Sequence, residues 1–180
     1  MSLGTFTRHK CFISYHHADE LEVERFIQQF DDNHDVLIAR GIGAGMAGDV
    51  INSDNDDYIM RRIRDLYLRD TTVTIVLVGR KTWTRKFVDW EVAASLRNTP
   101  NSNRSGLLAI TLPSASRYGK KLPARVQDNV KGDFGYARWM KYPTSASDLA
   151  RMIDTAYDAR TWRSQRVDNS RKLLSYNLSL

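Results

Sequence analysis

The chain has 180 residues, 42% of them hydrophobic and 27% charged, which suits one well-buried domain and excludes a disordered polymer. Its one cysteine, Cys11, excludes an internal disulfide and predicts a reducing compartment. The net charge of +6 admits a nucleic-acid partner. However, no zinc spacing or basic-aromatic platform accompanies it, and the excess at Arg160, Arg163, Arg166, Arg171 and Lys172 reads as a solvated face. No apolar run approaches a membrane span, and MSLGTFTRHK lacks the apolar core of a signal peptide. These features predict a soluble, cytoplasmic protein with neither a membrane nor a nucleic-acid partner.

In chain order, HKCFISYH (9–16) predicts a short buried strand, because Cys11, Phe12 and Ile13 are consecutive and apolar. Asp19 and Glu22 then fit the N-cap and N3 positions of a helix with Val23, Phe26, Ile27 and Phe30 on one face. DVLIA (35–39) predicts a second strand. Asp54 or Asn55 caps the next helix, whose stripe is Ile59, Ile63 and Leu66. TVTIVLVG (72–79) is the strongest strand pattern, rich in β-branched residues. A helix over TWTRKFVDWEVAASLR and a strand at GLLAITL (106–112) follow, then a polar loop from Pro113 to Asp133 and a last strand at YARWMKY (136–142). Ser145 and Asp148 open a final helix with Leu149, Met152, Ile153, Ala156 and Tyr157 as its stripe. This alternation predicts an α/β fold: a flavodoxin-like, doubly wound parallel sheet of about five strands with helices on both faces. A single domain is expected over 1–163, with 164–180 a basic extension packed on it or trailing from it.

GIGAGMAGDV (41–50) contains G-x-G-x-x-G at Gly43, Gly45 and Gly48. A dinucleotide grip of this kind should follow the first strand and run directly into a helix. These glycines follow the second strand, and NSDND separates them from the next amphipathic stretch, so no helix is expected at Gly48. Gly41, Gly43, Gly45 and Gly48 are therefore read as a surface loop suited to contact or closure.

Along the helix at 84–97, a 3.6-residue repeat puts Arg85, Lys86, Asp89 and Arg97 on one side and Phe87, Trp90 and Ala94 on the other. Glu91 falls among the apolar positions. A carboxylate there forms a buried salt bridge, sits at a helix end facing water, or lines a cavity.

KCFISYHHADE resembles the opening strand and helix of TIR domains, and TRKFVDWEVAASL resembles their S-x-W-C-x-x-E-L segment, with Glu91 at the glutamate position. Phe87 stands where that segment has Trp, and Val88 where it has Cys. The loop after the second strand resembles the TIR BB loop, an assembly element. LPARVQDNV and GYARW are similar to the TIR-like subfamily that includes the NAD-consuming protein of the bacterial Thoeris anti-phage system. The resemblance spans about residues 9–160.

That resemblance implies an enzyme that cleaves the nicotinamide–ribose bond of NAD, as a glycohydrolase or cyclase. Its ADP-ribose-derived product would signal to a separate effector, and self-assembly would complete the site. NAD is then substrate, and no cofactor or metal is expected. Bond cleavage develops positive charge on the ribose, which a preorganised carboxylate stabilises, and nicotinamide leaves neutral without needing an acid. Glu91 is the expected catalytic residue. Phe12, Ser14, Tyr15 and His16 at the end of the first strand, with Trp83, Phe87 and Trp90, are the expected substrate-binding residues. Cys11 is expected to be inert core. The alternatives are a non-catalytic adaptor working through residues 41–53 and a nucleoside deoxyribosyltransferase-like enzyme. Gly79 at the end of TIVLVG leaves no strand-end Asp for a response regulator.

Overall fold

The structure, a computed structural model, describes residues 6–42, 48–118 and 121–180. The strands are β1 (His9–Tyr15), β2 (Leu37–Arg40), β3 (Val73–Val78), β4 (Gly106–Thr111) and β5 (Arg138–Met140). The helices are α1 (Glu20–Ile27), α2 (Gly48–Ile51), α3 (Asp56–Ile63), α4 (Lys86–Leu96), α5 (Ala124–Asn129) and α6 (Ala146–Trp162). The five strands pair in parallel in the order β2-β1-β3-β4-β5, the doubly wound, flavodoxin-like arrangement expected from the alternation. The order reverses between β1 and β3, where Ser14 lies opposite Val76. Open α/β sheets bind ligands beyond the strand ends at such a crevice.

Each strand faces both ways. Cys11, Ile13, Val73, Ile75, Leu77, Leu108 and Ile110 form one core with Val23, Phe26 and Phe30 of the first helix and Leu149, Ile153 and Ala156 of α6. On the opposite face, Val76, Val78, Leu107 and Ala109 meet Val88, Val92 and Leu96 of α4. Phe12 packs beside them with Ile59, Ile63, Trp90 and Ala94. The period of two along β1 therefore turns Phe12 and Ser14 toward α3 and α4, while Cys11 and Ile13 turn toward α1 and α6.

Local chemistry accounts for the helix starts. Asn55 Oδ1 accepts from Tyr58 N at 2.9 Å, and Ser145 Oγ accepts from Asp148 N at 3.1 Å. Asp19 occupies the N-cap of α1 without making a cap hydrogen bond. Its carboxylate instead accepts from Thr82 Oγ1 at 3.5 Å, while Glu22 accepts from Ser114 N at 3.1 Å. The expected capping box at these two residues is replaced by contacts across the strand ends.

Three further expectations are corrected. Leu66 is 44% exposed, not part of a buried stripe. The helix widens into a π-helical turn over Arg64–Leu68, which hands the buried position to Leu68, five residues after Ile63. A single helical turn, α2, does begin at Gly48. The polar stretch 113–133 contains α5, whose Val126 is buried against α4. Gly43 and Gly45 lie outside the described residues. No described helix is long and apolar enough to cross a membrane.

Candidate active site at the end of the first strand

Ser14 is the last fully buried residue of β1 on the α4 face. From there its hydroxyl donates to Glu91 Oε2 at 2.6 Å, joining residues 77 positions apart. Glu91 sits in the middle of α4 and keeps partial solvent exposure. Ser95, one turn further, donates to the Glu91 carbonyl at 2.8 Å and meets Thr74 of β3 at 2.7 Å. Two hydroxyl contacts thus pin one side of α4 to β1 and β3. The other Glu91 carboxylate oxygen makes no hydrogen bond to a described residue.

Burial pushes the Glu91 carboxyl from 4.5 to about 7, and the Ser14 hydrogen bond holds it from going further. The carboxylate is therefore partly protonated at neutral pH. It has one donor, no facing cation in an ion pair among the described residues, and a free oxygen. Such a group can accept a hydroxyl or stabilise positive charge nearby.

The other expected residues divide. Tyr15 and His16 remain half-buried at the strand end, as do Trp83 and Phe87 before and within α4. The His16 ring accepts from Ala18 N at 3.5 Å, and its pKa is lowered by burial, Arg85, His17 and Lys81. Arg85 and Lys81 thus belong to the neighbourhood of β1's end. The sequence pattern left Lys81 unplaced and gave Arg85 only a position on the charged side of the helix, because the two flank a 3₁₀ turn at Thr82–Thr84. Lys121 Nζ stands 3.2 Å from the Trp83 ring centroid. Phe87 meets Trp90 edge-on at 5.5 Å.

Phe12 and Trp90, expected to line a pocket, lie in the core instead. Phe12 is 2% exposed, and Gly41, at φ +78°, lies so close that a Cβ there would come within 2.3 Å of the Phe12 ring. Gly41 is therefore required by backbone sign and by the aromatic beneath it. Trp90 is 4% exposed and donates its indole N–H to Leu174 O at 2.8 Å. A second close approach occurs at Gly79, where a Cβ would fall 2.0 Å from Asp19 Oδ2. Gly79 N donates to Thr82 Oγ1 at 2.8 Å, so a missing side chain lets the Asp19 carboxylate cover the end of β3.

Asp89 corrects the helical-wheel expectation most sharply. It belongs to no solvated face: it is 4% exposed and paired with Arg125, itself 1% exposed, at 2.8 and 3.2 Å. Leu174 N donates to the same carboxylate at 2.9 Å. The segment after α6 runs back over α4 and α5: Asn177 Oδ1 accepts from Lys86 N, and Leu178 N donates to Thr84 O, each at 2.9 Å. Among the described residues no group of three or more His, Cys, Asp or Glu is arranged to hold a metal.

A 2-1-3-4-5 parallel sheet with a serine-held glutamate facing its reversal point defines a TIR-like α/β domain. Residues 12–117, more than half of the chain, match the family described as Thoeris protein ThsB, TIR-like domain, and the chain belongs to that family. Membership gives it a role in Thoeris defence, a system with other components. No curated protein matches the sequence.

Proposed function

We propose that the chain is an NAD-cleaving enzyme of bacterial anti-phage defence, a glycohydrolase or cyclase whose ADP-ribose-derived product activates a separate effector. The observation that carries this reading is the Ser14–Glu91 pair: a carboxylate with one hydrogen-bonded oxygen and one free among the described residues, beside the sheet's reversal point. Ser14 orients Glu91. In the reaction the glycosidic C–N bond breaks with its electron pair going to nicotinamide, which leaves neutral. The ribose carbon becomes cationic, and Glu91 stabilises that charge. Water, or a nucleophilic group of the same substrate, then bonds to that carbon and loses a proton to solvent. Lys81 and Arg85 offer positive charge to the diphosphate from the end of β1, and His16, whose lowered pKa leaves it neutral at pH 7, offers an uncharged ring beside them. Tyr15, Trp83 and Phe87 offer half-buried aromatic surface to the rings. Because Glu91 acts as the anion, turnover rises as pH passes upward through about 7.

The test is small-molecule mass spectrometry of cells carrying the wild type or Glu91→Gln, with and without phage. The expected result is NAD loss and a new ADP-ribose species in infected wild-type cells alone. Defence that survives Glu91→Gln but fails on substitution within residues 41–53 would replace this reading with the adaptor.

A further inference from the structure

The far end of α4 borders a second charged cleft, of about 780 Å³. Its charged lining is Arg61, Arg64, Arg69 and Arg97 against Asp57 and Asp65, a net excess of positive charge. Arg97, which ends α4, lies six positions after Glu91, roughly 9 Å along the helix axis. The volume lies in the range of small-molecule sites.

Arg64 is the unusual member. It is 6% exposed, and among the described residues its guanidinium donates only to neutral acceptors: Ala94 O at 2.6 Å, Asn103 O at 2.8 Å and the Ser102 hydroxyl. Its buried Nε has no acceptor among the described residues. Arg125, the other buried arginine, shows what a structural guanidinium requires: a bidentate carboxylate. Arg64 has none among the described residues: burial and the neighbouring Arg97 disfavour its charge, only the exposed Asp65 offsets them, and a buried cation without a hydrogen-bonded counter-charge is costly. Arg61 and Arg69, both exposed on the same cleft, also make no ion pair among the described residues. Arg97 is the exception, held by Asp57 at 2.7 Å.

A fixed guanidinium that lends the cleft positive charge, with two uncommitted arginines at the rim, is complementary to a tetrahedral oxyanion, which accepts several charge-assisted bonds at once. We propose that this cleft binds a small phosphate-bearing anion, with Arg64 as its floor and Arg61 and Arg69 supplying the rim charges. The site is separate from Glu91 and stands whether or not the chain cleaves NAD. The phosphate groups belong either to a free inorganic anion or to a nucleotide.

Calorimetric titration of the full chain at low ionic strength distinguishes these, with inorganic pyrophosphate in one arm and ADP in the other. Saturable binding tighter than about 1 mM is expected for at least one. The double variant Arg61→Gln, Arg69→Gln weakens it by about tenfold or more, as lost charge-assisted contacts should. ADP binding more tightly than pyrophosphate identifies a nucleotide, and equal or weaker binding identifies the free anion. The rim variant is chosen because both side chains are exposed, whereas Arg64 also secures the carboxyl end of α4. No saturable binding of either probe, or binding that the double variant leaves intact, overturns the proposal.

Discussion

Two carboxylates two residues apart on α4 meet opposite environments. Asp89 is enclosed by a bidentate arginine and a backbone N–H from the C-terminal segment. Glu91 turns to the sheet and receives one serine hydroxyl. The first carboxylate is satisfied on every side and locks α5 and the C-terminal segment to α4. The second is left with burial as its dominant influence and an oxygen to spare. The contrast separates a carboxylate that holds the fold from one available for chemistry, although both are drawn from the same helix.

The largest effect expected from breaking this contrast is at Arg125. Replacing it with Met strands Asp89 as a buried charge and costs about 3–5 kcal/mol in urea unfolding. Adding Asp89→Leu to that variant recovers most of the loss, because the unpaired charge is then gone. A single-variant cost below about 1 kcal/mol would remove the distinction between the two acids.

Glu91 should behave in the opposite sense. Its folded pKa lies above the unfolded value, so protonation favours the native state. That contribution is complete below about 4.5 and is lost as pH rises through about 7. Glu91→Gln therefore stabilises the protein by up to about 3 kcal/mol at pH 8, and the gain vanishes toward pH 4. Paired denaturation curves at the two pH values measure it. If Glu91 were another structural acid, the same variant would destabilise at pH 8.

Ser14→Ala sharpens the comparison further. It removes the hydrogen bond that lowers the Glu91 pKa, so the pH midpoint of the proposed NAD turnover should move up. Its stability cost is about 1 kcal/mol. The smallest effect is expected of Trp90→Phe, which keeps the ring in the core but loses the bond to Leu174 O. A cost of about 0.5–1.5 kcal/mol in thermal unfolding would check it.

The sheet was readable because β3 and β4 are continuous buried runs, and the start of α6 because Ser145 has its partner three residues away. Residues that depend on distant partners were less readable. The helical repeat placed Asp89 among charged neighbours, while Arg125 arrives from 36 residues away and Leu174 from 85. Leu66 was misplaced because a π-helical turn breaks the 3.6-residue repeat without a proline or glycine to announce it. Glu91 stood out as a carboxylate among apolar positions. Ser14 entered through the resemblance, and their contact emerges only when β1 and α4 come together.

Cys11, the chain's one thiol, is 0% exposed inside β1, between β2 and β3, and burial raises its pKa. A thiol-reactive dye can therefore reach it only when the sheet opens at the strand that also carries Ser14. Under excess dye the rate of labelling counts those openings, and slower labelling in the presence of a ligand reports that ligand's grip on the native state. The native sequence thus carries its own stopwatch for binding, with no engineered probe.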